Sequence, residues 1–89
     1  SNTLSPSVRS ILLTFGGEDP SNLTQKTLEV IARNGYLCQL NYVIALGSSY
    51  QQPKEVMRFI QEKSLNAEVF IGQDIAPLMT QVDMAITAN

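Results

Sequence analysis

Short apolar runs alternate with helix-like segments along the chain, and this alternation constrains the fold more than any other feature. The runs are almost continuously apolar, which is typical of strands buried on both faces of a parallel sheet. The segments between them repeat apolar residues at helical spacing. These patterns predict strands over residues 10–15, 39–46, 67–71 and 84–88, and helices over residues 23–34, 53–63 and 75–81.

The predicted order is βαβαβαβ, which indicates the α/β class. Alternation of this kind implies a parallel sheet joined by right-handed crossovers. The simplest arrangement is a Rossmann-like half with strand order 3-2-1-4. Right-handed crossovers then place the first two helices on one face of the sheet and the third helix, capped by Asp74, on the other.

The first helix has two overlapping start signals and one stop signal. Asp19 before Pro20 suits an N-cap followed by proline at the first helical position. Asn22 with Gln25 three residues later resembles a capping box. Gly35 is the expected stop, because glycine adopts the left-handed conformation freely.

Composition limits the compartment and the class of partner. The chain has 89 residues, 44% of them hydrophobic, so it forms one small domain or a piece of one. Its net charge of −2, without clustered lysine or arginine, argues against nucleic acid or an anionic membrane as partner. No apolar run approaches the roughly 20 residues of a membrane span. Cys38 is the only cysteine, which fits a reducing compartment, and we expect a cytoplasmic location.

The chain contains no histidine. This excludes a Ser-His-Asp triad, a Cys-His pair and a histidine metal site within the chain itself. The carboxylates are scattered along the sequence. We therefore assign no catalytic residue, metal ligand or cofactor, and we expect no turnover by the isolated chain.

The stretch TFGGEDPSN, residues 14–22, is the candidate binding element. Gly16 and Gly17 follow the first strand at the sheet edge where doubly wound folds bind ligands, and free helix N–H groups there favour an anion. The stretch matches neither GxGxxG nor the P-loop. Glu18 and Asp19 would repel a phosphate unless their side chains point away. From spacing alone, a purely structural strand-to-helix turn explains the two glycines equally well.

Two runs carry a family resemblance: ILLTFGGEDPSNLTQKTLEVI and AEVFIGQDIAPLMTQVDMAITAN. They resemble the C-terminal domain of family 28-type glycosyltransferases. The likeness is greatest to the UDP-sugar hydrolase of pseudaminic acid biosynthesis and to spore-coat polysaccharide biosynthesis proteins. In that bacterial group FGG precedes an acid and SN, and a later block reads FI…D-I-A-x-L-M…D-x-A-I.

The resemblance implies a two-domain GT-B fold in which the C-terminal domain holds most of the UDP. Gly16 and Gly17 would then approach the diphosphate, and Asn22 would be a polar contact near the substrate. Phe70 and Ile71 would offer backbone and apolar contact to uracil. Asn89 would begin a glycine-rich turn that leads to a further helix with a nucleotide-binding glutamate.

The resemblance also implies that the chain is a fragment. Residues 1–7 would be a tag remnant or linker, and residues 8–89 part of a nucleotide-sugar-binding domain. The catalytic histidine would lie in a missing N-terminal domain, which becomes a partner together with the UDP-sugar. The parent would be a hydrolase or a glycosyltransferase of surface-polysaccharide or nonulosonic-acid biosynthesis.

Two other classes remain as alternatives. One is a non-catalytic binding or regulatory α/β module whose GG turn is structural. The other is a flavodoxin-like or receiver-like domain, although the acids are not arranged as a phospho-acceptor cluster. In every case the short third helix is too small to cover its face of the sheet, so we expect the chain to self-associate through that face or through the fourth-strand edge.

Overall fold

The computed structural model describes residues 8–88, so the expectations for residues 1–7 and for Asn89 lie outside the described residues. Within these residues the chain forms four strands and three α-helices in the predicted alternating order. The elements are β1 (Ser10–Thr14), α1 (Leu23–Arg33), β2 (Asn41–Leu46), α2 (Pro53–Glu62), β3 (Asn66–Ile71), α3 (Ile75–Met79) and β4 (Met84–Thr87).

All four strands are parallel, and their order in the sheet is β3-β2-β1-β4. This confirms the predicted α/β class and strand order. The connection from β3 to β4 passes over the two central strands, so the strand order reverses between β1 and β4. In sheets of this kind such a reversal opens a crevice at the carboxyl ends of the strands.

The two faces of the sheet are covered as the crossover rule predicts. On one face α1 and α2 pack on the strands through buried apolar residues that include Leu28, Ile31 and Val56. On the other face Leu78 of α3 packs on Leu12 and Ala45. Burial of side chains of this size contributes about 1.5–3 kcal/mol each, so the larger α1/α2 face supplies most of the core.

The end of α1 differs from the prediction. The helix ends at Arg33, and its C-cap is Asn34 in an extended conformation (φ −102°), whereas Gly35 is not among the residues with positive φ. The Asn34 side chain accepts hydrogen bonds from the N–H groups of Tyr36 and Leu37, both at 2.9 Å. This Asx turn leads into a short 3₁₀ turn at Leu37–Gln39, so β2 begins at Asn41 and not at residue 39.

Asp83 joins the start of β4 to the start of β1. Its Oδ2 accepts hydrogen bonds from the N–H groups of Arg9 (2.8 Å) and Ser10 (3.0 Å) and from the Ser10 hydroxyl (3.2 Å). The Asp83 N–H in turn donates to Ser10 O at 3.0 Å. The backbone hydrogen bonds from Arg9 and Ser10 lower the pKa of Asp83 below its ordinary value of 3.8.

β4 is the least covered strand. All four of its residues are exposed, with Met84 at 46% and Ile86 at 36%. Met84 and Ile86 register with Ile11 and Leu13, so they lie on the α1/α2 face and not on the α3 face. The open apolar surface of β4 is therefore on the opposite face from the one carrying the short helix.

Candidate functional site

The two glycines after β1 have different structural roles. Gly16 has φ +93°, in a region that residues with a Cβ rarely adopt, so the turn itself requires glycine at this position. Gly17 is not among the residues with positive φ, and a Cβ added to it would meet no atom within 4 Å. Gly17 therefore leaves open space at the edge of the sheet, while Gly16 makes the turn possible.

Gly47, which follows β2, packs directly on Gly17. A Cβ added to Gly47 would overlap the carbonyl oxygen and the Cα of Gly17, and would lie 2.7 Å from its carbonyl carbon. The loops that follow β1 and β2 are therefore in backbone contact. The close approach of these two loops explains why residue 47 is a third glycine at this edge. The sequence alone did not show that glycine is required there.

A cleft of about 330 Å³ lies at the carboxyl ends of β1 and β2, facing the first residues of α3. Three structural groups line it: the end of β1 with its glycine turn, the end of β2 with Gly47, and the start of α3. The lining residues are Thr14, Gly16, Gly17, Ala45, Leu46, Gly47, Gln73, Asp74 and Ile75. This is the ligand edge predicted for a doubly wound sheet.

Asp19 occupies the N-terminus of α1. Its Oδ1 accepts a hydrogen bond from the N–H of Leu23 and its Oδ2 accepts one from the N–H of Thr24, both at 2.8 Å. The helix begins at Leu23, so Pro20 lies outside it, and Asn22 at the N-cap position makes no capping hydrogen bond with its side chain. The expected capping box is therefore wrong, and Asp19 caps the helix from four residues before its first residue.

The capping by Asp19 changes the expected anion site. Two N–H groups of the α1 terminus already donate to a carboxylate, so they are not available to a phosphate. Asp74 similarly caps α3 by accepting a hydrogen bond from the N–H of Ala76 at 3.1 Å, as predicted. An anion in the cleft would have to be bound by the backbone of the glycine turn and by neighbouring loops.

Asn22 does not line the glycine cleft. Its Oδ1 accepts a hydrogen bond from the hydroxyl of Tyr50 at 2.9 Å. The two residues line a second cavity of about 340 Å³ together with Glu18, Asp19, Pro20, Gln51 and Gln52. The structure therefore places Asn22 in contact with the loop after β2, a partner that the sequence analysis did not identify.

Tyr50 is a neutral donor in this contact. Burial raises the pKa of Tyr50 above its ordinary value of 10.0, and the nearby carboxylate of Asp19 raises it further. The hydroxyl thus keeps its proton at neutral pH and can donate to Asn22. No signal in the sequence pointed to Tyr50, because it lies in a polar loop 28 residues from its partner.

Phe70 and Ile71 lie at the carboxyl end of β3 but on opposite faces. Phe70 packs against the cluster under α3. Ile71 registers with Leu46, whose side chain belongs to the α1/α2 face, and it is 43% exposed. Neither residue lines the glycine cleft. One planar base could not contact both side chains on the same face, although the backbone of both residues remains at the predicted edge.

The fold and the cleft together define a Rossmann-like parallel α/β domain with a glycine-lined crevice at the carboxyl edge of its sheet. Within residues 8–88, no group of three or more His, Cys, Asp or Glu side chains converges as a metal site. The helices in this part of the chain are all too short or too polar to cross a membrane.

Two known proteins are similar to the chain over nearly its whole length. An uncharacterized protein of Methanocaldococcus jannaschii is 35% identical over 83 residues, which cover 90% of this chain and 17% of that protein. The spore coat polysaccharide biosynthesis protein SpsG of Bacillus subtilis is 33% identical over 87 residues, which cover 98% of this chain and 26% of SpsG. The chain thus spans about a sixth and about a quarter of these relatives. No family model matches it, and no solved structure matches it significantly.

Proposed function

We propose that this domain is the nucleotide-sugar-binding part of an enzyme of polysaccharide biosynthesis, and that the cleft at the glycine turn receives the UDP portion of a UDP-sugar. One observation carries the proposal. Gly16, Gly17 and Gly47 bring bare backbone to the carboxyl edge of a parallel sheet, where β1 borders the reversal of strand order. Glycine at such a position lets the main chain approach a diphosphate closely.

The chemistry of the cleft favours backbone recognition of that diphosphate. None of the nine residues that line the cleft is a lysine or arginine. The Asp19 carboxylate is buried, accepts hydrogen bonds from two helix N–H groups, and does not line the cleft. Without a cationic side chain, binding by residues 8–88 should be weak, with a Kd in the millimolar range, or about −4 kcal/mol.

The similarity to SpsG supports the biosynthetic context. That protein is named for spore coat polysaccharide biosynthesis, and the matched region is about a quarter of its length. We propose that the remaining three quarters of a SpsG-like parent supply the catalytic groups and the second wall of the site. The parent would be a UDP-sugar hydrolase or a glycosyltransferase of GT-B type, and the present chain would contribute binding.

The test is a titration of ¹⁵N-labelled protein with UDP, a UDP-sugar and ATP, followed by backbone amide shifts. We expect UDP and the UDP-sugar to shift Gly16, Gly17, Gly47 and residues 72–75 together, and ATP to shift them less. Shifts confined to the amino ends of the strands would refute this site. Additional chemical-shift changes at the Phe70 and Ile71 amides would support a role for the end of β3 in uracil binding.

A second function is favoured by one observation, the occupation of the α1 terminus by Asp19. Because a carboxylate already neutralises that helix end, the glycine turn can be explained as purely structural. The domain would then be a non-catalytic α/β module. The absence of any shift at the cleft with UDP, UDP-sugar and ATP, in a folded sample, would favour this alternative.

A further inference from the structure

We infer that Tyr50 is a positioning residue for the glycine turn, acting through Asn22. The inference rests on the proposed function in so far as it concerns ligand affinity. Its starting point is the hydrogen bond from the Tyr50 hydroxyl to Asn22 Oδ1, which joins the loop after β2 to the loop after β1.

Residues 17–22 are held at both ends by one short turn. At one end Gly17 packs on Gly47, and at the other end Asn22 accepts the hydrogen bond from Tyr50. Gly47 and Tyr50 are themselves joined, because the N–H of Tyr50 donates to Gly47 O at 3.1 Å. The turn at residues 47–50 thus forms a frame that fixes the start and the end of the segment carrying Gly17.

The segment needs such a frame because its conformation is not favoured locally. Asp19 has φ +48° and Asn22 has φ +55°, both in the left-handed region. Residues with a Cβ enter this region at a cost of roughly 1 kcal/mol or more, although Asp and Asn tolerate it best. Asp19 is fixed by its two bonds to the start of α1 and by the N–H of Asn22, which donates to Asp19 O at 2.8 Å. Tyr50 adds a side-chain hydrogen bond from outside the segment.

This arrangement gives Asn22 a different role from the predicted one. The amide oxygen of Asn22 already accepts from Tyr50, so we assign Asn22 to the support of the turn and not to direct contact with the substrate. Removal of the Tyr50 hydroxyl should let residues 17–22 depart from their present position. The backbone groups at Gly16 and Gly17 would then be less well placed for a diphosphate.

The experiment compares Tyr50→Phe with Tyr42→Phe. Tyr42 is a matched control, because its hydroxyl also donates a hydrogen bond, to Leu37 O at 2.6 Å, but it lies toward the amino end of β2, away from the cleft. We expect Tyr50→Phe to shift the amide resonances of Gly16 and Gly17 without ligand and to weaken UDP binding roughly threefold to tenfold, the worth of one hydrogen bond. Tyr42→Phe should do neither, whatever it does to overall stability.

The outcomes separate this inference from the proposed function. If UDP fails to bind the unaltered chain but Tyr50→Phe alone moves the Gly16 and Gly17 amides, the proposed function is wrong and the positioning role of Tyr50 stands. If those amides do not move, or move equally in Tyr42→Phe, the positioning role is wrong. Unchanged UDP affinity in Tyr50→Phe, with binding intact in the unaltered chain, would also overturn it. Asn22→Ala should shift the same amides at least as strongly, because alanine also tolerates the φ of +55° less well than asparagine, and adding Tyr50→Phe to it should change little further.

Discussion

The Cα of Gly47 lies against the backbone of Gly17, so close that a side chain at residue 47 would overlap the Gly17 carbonyl group. The two residues are 30 positions apart and follow neighbouring parallel strands. Their contact brings the loops after β1 and β2 together and forms one wall of the cleft. The effect of substituting Gly47 on the stability of the fold follows from this backbone contact.

Gly47→Ala should destabilise the fold by about 1–3 kcal/mol, because its methyl group can fit only if one of the two loops moves. Gly35→Ala is the matched control. Gly35 is exposed, has no positive φ, and an added Cβ would meet no atom within 4 Å. It should change stability by less than about 0.5 kcal/mol. Urea unfolding followed by circular dichroism measures both, and equal effects would contradict the packing contact.

Gly16 and Gly17 should respond to substitution in different ways. Gly16→Ala should cost about 1–2 kcal/mol of stability, because its φ of +93° is unfavourable for a residue with a Cβ. Gly17→Val should change stability less, since it needs no positive φ, but should weaken UDP binding by about tenfold or more by filling the open space at the turn. Thermal unfolding and the amide titration separate the two effects. A Gly17→Val protein that binds UDP normally would remove Gly17 from the site.

Acid should weaken the junction between β1 and β4 through Asp83. The pKa of this carboxyl is lowered in the folded chain by the backbone N–H groups of Arg9 and Ser10. A lowered folded pKa means that the stabilisation is complete above the ordinary value of 3.8 and is lost as the pH falls through the lower folded value. Asp83→Asn should therefore remove this part of the pH dependence below about pH 4. Parallel unfolding curves for both proteins between pH 2 and 5 measure the difference, and identical pH slopes would contradict the role of Asp83.

The 89-residue chain should self-associate through the open edge of β4. The N–H of Asn41 donates to Arg9 O, so odd-numbered residues of β1 direct their backbone groups toward β2, and even-numbered ones toward β4. In the observed register this leaves the backbone groups of Ala85 and Thr87 pointing outward. β4 has no charged residue to block pairing, whereas the other edge strand, β3, contains Glu68.

Ile86→Lys should abolish this association, because it places a charge on the β4 edge. Ile71→Lys is its matched control on the opposite edge strand, where Ile71 is similarly exposed, and it should leave association unchanged. Sedimentation at roughly 50 μM protein detects association of about −6 kcal/mol or stronger. A monomeric unaltered chain at that concentration would contradict the prediction, and equal effects of the two substitutions would place the contact elsewhere.

The sequence predicted the glycine turn at the carboxyl edge of the sheet, where a cleft lies, but part of the chemistry expected there differs from the structure. It located Gly16 and Gly17 because paired glycines after a buried strand are a local signal. It correctly proposed Asp19 as a cap of α1, but it also predicted a capping box at Asn22 and free helix N–H groups for an anion, whereas the Asp19 carboxylate accepts hydrogen bonds from the N–H groups of Leu23 and Thr24. Which acceptor a helix N–H finds depends on loop geometry that a spacing rule cannot specify. Phe70 and Ile71 were grouped as neighbours in sequence, whereas strand alternation sends their side chains to opposite faces.

The sequence by itself determined the α/β class, the parallel sheet and the order of its strands, and it distributed the helices over the two faces. These properties follow from apolar periodicity and from the handedness of crossovers, which act within about 30 residues of chain. Only the tertiary structure decided that Gly47 packs on Gly17, that Tyr50 donates to Asn22, and that Gly16 and not Gly17 needs a positive φ. Those features depend on the close approach of loops that are distant in sequence, and local patterns contain no information about such distances.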